Sequence, residues 1–122
     1  MKAPRQRLWK NKDLIDFYEL YNKLYFGNKL PPLVCLKFMN MKHVLGRTSR
    51  FRLDKHHRSQ KDTFGIFIDK SQRHSRRLWA MTMVHEMVHV EDRCRHSCSL
   101  RGRYFNRRML ELAVAGAFDG LW

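Results

Sequence analysis

Apolar side chains in the first third of the chain recur at helical spacing. Leu14, Phe17, Tyr18, Tyr21, Leu24 and Tyr25 fall at i, i+3, i+4, i+7, i+10 and i+11, which predicts an amphipathic helix over residues 14–25. Asn11 or Asp13 can cap its start and Gly27 fits just past its end. The stretch NKLPP then stops any helix, because proline lacks the backbone donor. In LVCLKFM the period changes to two: Val34, Leu36 and Phe38 alternate with Cys35 and Lys37, a strand pattern. LGRTSRFRL is a weaker strand, with Gly46 near its start, and DKHHRSQKD reads as a solvated loop. TFGIFID is a third strand with Phe64, Ile66 and Ile68 on one face. The simplest arrangement is a small three-stranded antiparallel sheet, a meander.

From about Ser71 the spacing is helical again, with Ser71 or Ser75 as N-cap and an end near Arg93. A last helix is predicted over 103–117, carrying Phe105, Met109, Leu112, Ala113 and Gly116. The order is helix, three strands, two helices. This is an α+β chain without repeats or a linker, read as a single domain over 1–122 with a basic arm at 1–11.

Charge changes the picture most. Lys and Arg number 25 against 11 acids, a formal net charge of +14. So much positive charge repels itself in a folded domain, and a polyanionic partner, DNA first, is expected. The three cysteines, Cys35, Cys94 and Cys98, argue against a disulfide framework. The N-terminal MKAPRQRLWKNKD is basic but has no apolar h-region, so no signal peptide is expected. No apolar run reaches membrane-spanning length. The expectation is an intracellular monomer in a reducing compartment, cytoplasmic or nucleoid-associated.

LWAMTMVHEMVHV, residues 78–90, is a nearly unbroken apolar run that nevertheless holds His85, Glu86 and His89. Residues i and i+4 share a helix face, so both imidazoles can meet one ion. Imidazole suits zinc, which also accepts a water in an open position. Glu86 can lie beside that water as general base. This is the H-E-x-x-H metalloprotease arrangement. The alternative is a pair of core histidines bonded to backbone, with Glu86 paired to an arginine.

Beyond the pentapeptide, the chain resembles the SprT-like (Spartan-type) zinc metalloprotease domain. LYNKLYFGNKLP resembles that family's first helix and its ending, LGRTS and GIFID its strands in the same order, and MVHEMVHVED its zinc helix. RGRYFNRRM resembles the segment written H-G-x-x-F-x-x-x-M that carries the third ligand. The resemblance spans most of residues 12–110. It implies a zincin-like, minimal gluzincin-like fold, one zinc ion, and cleavage of proteins on or crosslinked to DNA. One departure matters. Arg101 stands where the family has its third zinc-binding His, and arginine stays protonated and cannot bind zinc. His96 is the first substitute, seven residues past His89; Cys98 and Cys94 follow, and a site without a third protein ligand stays open. A separate structural zinc in CRHSC would want four ligands where the segment offers three.

Arg76, Arg77, Arg101, Arg103, Arg107 and Arg108 flank the proposed site in sequence, and Arg50, Arg52, Lys55 and Arg58 surround the loop. These residues are expected to form a rim contacting DNA phosphates, or else a solvated face. Trp9, Trp79 and Trp122 are possible base-stacking groups, with Trp79 more naturally core. His43, His56, His57 and His74 read as surface residues, and Tyr104 as a weaker prospect for holding an oxyanion. The rival reading is a non-enzymatic module that binds nucleic acid or a partner protein, its metal site lost through Arg101.

Overall fold

The computed structural model describes residues 8–51, 63–94 and 101–120, without the side chains of 101 and 102. Its elements are α1 (Asn11–Tyr25), β1 (Leu33–Met39), β2 (Gly46–Phe51), β3 (Thr63–Asp69), α2 (Arg76–Cys94) and α3 (Arg101–Val114), with a 3-10 turn at Lys70–Gln72 before α2. The α+β class and the element order agree with the sequence reading.

The sheet is not antiparallel. Its order is β1-β3-β2, and β3 pairs parallel with β1 and antiparallel with β2. Alternation assigns residues to faces but carries no information about strand direction or neighbour. β3 lies in the centre because it is the most apolar strand; Phe64, Ile66 and Ile68 are buried. Val34 also departs from expectation. A register shift between Leu33 and Cys35 makes it the extra residue of β1, and it is 55% exposed. The inward residues of β1 are therefore Leu33, Leu36 and Phe38.

Helix α1 starts three residues earlier than its apolar spacing implied. Lys10 is the N-cap position, and its N–H donates to Asp13 Oδ2 at 2.7 Å. Asn11 caps nothing; its Oδ1 instead accepts the Phe38 N–H at 2.9 Å, fastening α1 to β1. Leu14, Phe17, Tyr18 and Tyr21 are buried as expected, whereas Leu24 is 57% exposed. Gly27 ends the helix at φ 60, followed by Asn28 at the same angle, a conformation that glycine and asparagine adopt most easily. Asn22, a buried polar residue, donates to Leu30 O and accepts the Leu30 N–H, both at 3.0 Å. It thus satisfies the backbone just before the two prolines. Residues 8–10 of the proposed arm are docked: Trp9 N–H donates to Arg73 O at 2.8 Å, and its ring packs edge-on to Trp79 at 5.6 Å.

Ser71 does not begin α2. Asp69 accepts the Ser71 N–H and caps the 3-10 turn, and Ser75 stands before the helix, its hydroxyl accepting the Leu78 N–H at 3.4 Å. Trp79, Ala80, Met83, Val84, Met87, Val88 and Val90 bury α2 against the sheet and α1. Helix α3 is held across α2 by Arg108, whose Nε donates to Glu91 Oε1 at 2.7 Å and whose Nη2 donates to Tyr25 O at 2.6 Å. It stops at Val114, short of the expected end. Gly116 at φ 94 closes it, with Ala117 N–H bonding back to Leu112 O, the Schellman arrangement. Leu112 is buried and Phe105 and Met109 pack against the core as expected, whereas Ala113 is exposed; Ala117, in the turn after the helix, is buried. Among the described residues no helix is long and apolar enough to cross a membrane.

Candidate active site

Helix α2 is apolar in composition but not buried all round. Leu78, Met81, Thr82, His85 and His89 are exposed or half-buried and recur at i, i+3, i+4, i+7 and i+11, forming one open stripe along the helix. The two imidazoles lie on this stripe, so they are not core histidines. Their Nε2 atoms face each other at 3.1 Å. Burial holds both rings below the ordinary histidine range, and for His89 the neighbouring His85 and Arg93 add to that against Asp92. Neutral imidazole is the ligand form.

Phe105 of α3 braces the pair. Its ring stacks on His89 at 4.7 Å and meets His85 edge-on at 4.6 Å. The residue sits in RGRYF, and its helical spacing announced packing without saying against what. Tyr104, beside it, donates its hydroxyl to Glu91 Oε1, which ties α3 to α2 and takes that proton away from any oxyanion.

Glu86 lies under β2 and is 5% exposed. Thr48 Oγ1 donates to its Oε1 at 3.0 Å and lies 3.2 Å from its backbone carbonyl oxygen. Burial pushes the Glu86 carboxyl above its ordinary range, and the Thr48 hydrogen bond pulls it back. Its close neighbour on β2 is Gly46: a Cβ there would stand 2.6 Å from Thr82 Cγ2 and 3.3 Å from Glu86 Oε2. Glycine is what lets the edge strand lie directly over the carboxylate. Neither Thr48 nor Gly46 was singled out from the sequence. The available signal was that the inward positions of β2, Gly46, Thr48 and Arg50, are not apolar, so whatever covers them had to be polar.

The zinc question can be put to the geometry. Two imidazole nitrogens bound to one tetrahedral zinc at about 2.0–2.1 Å each would lie roughly 3.3 Å apart, close to the 3.1 Å separation found. The pair fits such an ion with a slight opening. Among the described residues, no third His, Cys, Asp or Glu joins it, so Cys94, which is exposed, does not complete the site. His96, Cys98 and the Arg101 side chain lie outside the described residues.

Of the expected DNA rim, Arg50, Arg76, Arg77, Arg103 and Arg107 are exposed, on β2, α2 and α3. Arg76 also lies over the Trp79 ring at 6.0 Å, and Arg107 over that of Tyr104 at 5.7 Å. Arg108 does not belong to this rim, because it is committed to Glu91 and Tyr25. Arg52, Lys55, Arg58, His56, His57 and Trp122 lie outside the described residues. Trp79 is core, so its ring is not open for stacking, and the half-buried Trp9 packs edge-on to it; His43 and His74 are exposed. Searches against protein families, curated proteins and solved structures returned no match for this chain.

Proposed function

We propose that the chain is a zinc-dependent, H-E-x-x-H metallopeptidase with a zincin-like fold, akin to SprT-like domains, that acts on DNA-associated or DNA-crosslinked proteins. The observation that carries this reading is the pair of Nε2 atoms 3.1 Å apart on the open stripe of α2, with the buried Glu86 on the same turn. His85 and His89 would hold the ion, and His96 is the first choice to complete its shell. Zinc, when bound, lowers the pKa of a water to about 7 and polarises a carbonyl. Glu86 would serve as the general base, its carboxylate accepting a proton from that water and passing it to the leaving amine. Raised basicity from burial suits that role, and the Thr48 hydroxyl fixes Oε1 while Oε2 lies on the Gly46 side. The edge strand β2 pairs only with β3 among the described residues, so an extended peptide can add to its open edge, beside Glu86. The +14 charge supports recruitment to DNA.

The rival reading rests on one observation, Arg101 in place of a ligand: the same fold without catalysis, binding nucleic acid or a partner protein. Elemental analysis of wild type, His85→Ala, His89→Ala, His96→Ala and Arg101→His, with cleavage of a DNA-bound protein assayed alongside, separates the two. The expected result is near one zinc per chain, lost in the first two variants. Glu86→Gln should keep zinc and lose cleavage by about 10²-fold or more. Undiminished proteolysis in Glu86→Gln would sink the mechanism. A zinc-free wild type that gains zinc on Arg101→His would establish the degenerate module.

A further inference from the structure

We infer that the outer face of the sheet is a stacking platform for single-stranded nucleic acid. The inference deepens the nucleic-acid half of the proposed function and is independent of the hydrolytic half. The helices lie on the inner face. On the outer face the register places Lys37 of β1 and Arg47 of β2 on either side of Phe67 of β3, so a cation–aromatic–cation row crosses the sheet. The neighbouring outward position of β3 is Gly65. A Cβ there would come within 3.1 Å of Phe51 Cε2 and 3.4 Å of Phe67 Cε2. The missing side chain leaves room for both ring edges over the same position of β3.

Around these rings the sheet face and the β1–β2 loop form a groove of about 420 Å³, lined also by Lys42, His43 and Met39. Among the described residues, no acidic residue and no helix contributes to its lining. Phe51 is 38% exposed and Met39 36%, and Lys37, Lys42 and Arg47 are exposed. Phe67 is half-buried and still lines the groove, and a merely solvated basic face does not need one exposed and one half-buried aromatic ring among its cations. Phosphates want the cations, and unpaired bases want π-faces; a strand laid across the sheet meets both at once. A duplex hides its base faces inside its own stack, so it has nothing to offer the rings. This surface is separate from the arginines flanking the α2 site.

The test is binding of labelled short oligodeoxythymidine, oligouridine and a duplex by fluorescence anisotropy, with ultraviolet crosslinking and peptide mapping. The variants are Phe51→Ala, Phe67→Leu, which keeps apolar volume, and Lys37→Gln with Arg47→Gln, each checked for an unchanged melting curve. Each ring variant should weaken single-strand affinity by about 5- to 100-fold and leave duplex binding alone. The double charge variant should reduce the salt slope by about 1.4, roughly 0.7 per phosphate contact. Crosslinks should map to peptides holding Phe51 or Phe67. Oligouridine matching oligodeoxythymidine supports a platform indifferent to the 2′-hydroxyl, and preference for either names the natural strand. Wild-type affinity in both ring variants, or polyglutamate competing as well as the oligonucleotide, overturns the platform while DNA recruitment elsewhere survives. A wild type that binds neither strand nor duplex overturns both.

Discussion

The two faces of the sheet use similar residues to opposite ends. Inward, Phe64, Ile66 and Ile68 are at most 2% exposed beneath the helices. Outward, one position along, Phe67 stands between Lys37 and Arg47, with no helix among the described residues lining the groove above it. The same strand thus supplies core and surface from alternate residues. An aromatic on the inner face is explained once its burial is known, whereas one on the outer face, ringed by cations, calls for a partner.

Substitutions on adjacent residues of β3 sharpen that contrast most. Ile66→Ala removes a fully buried side chain at the centre of the molecule and should cost about 2–5 kcal/mol, read as a fall in the urea midpoint. Phe67→Leu should cost less than about 1.5 kcal/mol. Equal losses would mean that the outer face is as tightly packed as the inner one.

The two strand glycines give the next largest effect. Gly46→Ala drives a methyl towards Thr82, whose hydroxyl is held by Gln72 Oε1 at 2.7 Å, and it should cost about 1–3 kcal/mol. It should also separate Thr48 from Glu86 and depress cleavage. Gly65→Ala meets the edge of the partly exposed Phe51 ring, which can swing away, but also the Cys35 carbonyl oxygen at 3.3 Å, which is held in the sheet, so stability should fall by about 1 kcal/mol while single-strand affinity falls. Denaturant titration of both variants, with anisotropy on the second, checks this pair.

The smallest effect is expected at the end of β3. Asp69 is held below the ordinary carboxylate range, chiefly by the Ser71 hydroxyl and then by the Met41 N–H. A depressed folded-state pKa gives stability that is present above about pH 4 and lost as pH falls through the folded value. Asp69→Asn should lower the melting temperature slightly at neutral pH and meet the wild-type curve as pH falls through the Asp69 range, which flattens the acid limb. An unaltered acid limb would show that these bonds are too solvated to matter.

How much of this was legible beforehand differs between elements. The strands were readable from Phe64, Ile66 and Ile68 and from Leu36 and Phe38, because alternation follows directly from the pleat. The parallel pairing of β1 with β3 was not, because direction depends on how the chain crosses between strands. HEMVH announced its helix and the pairing of its imidazoles. Its apolar neighbours misled about exposure: Trp79, Met83 and Val90 fill one side of α2, and among the described residues the stripe through His85 is open apart from the Phe105 ring. Thr48 and Gly46 were hidden because their importance arises only when a remote strand is laid over Glu86.

One earlier detail acquires meaning when the chain is considered in time. Tyr21 donates its hydroxyl to Ala117 O across 96 positions of sequence, and Tyr25 does the same to Gly116 O across 91. Closing so long a loop costs chain entropy that no local contact offsets in advance. These two phenols are therefore expected to engage late in folding, which Tyr21→Phe would show as faster unfolding with a nearly unchanged folding rate. They are also the clasp whose loss would free the end of α3, and with it the Phe105 brace on the histidine pair.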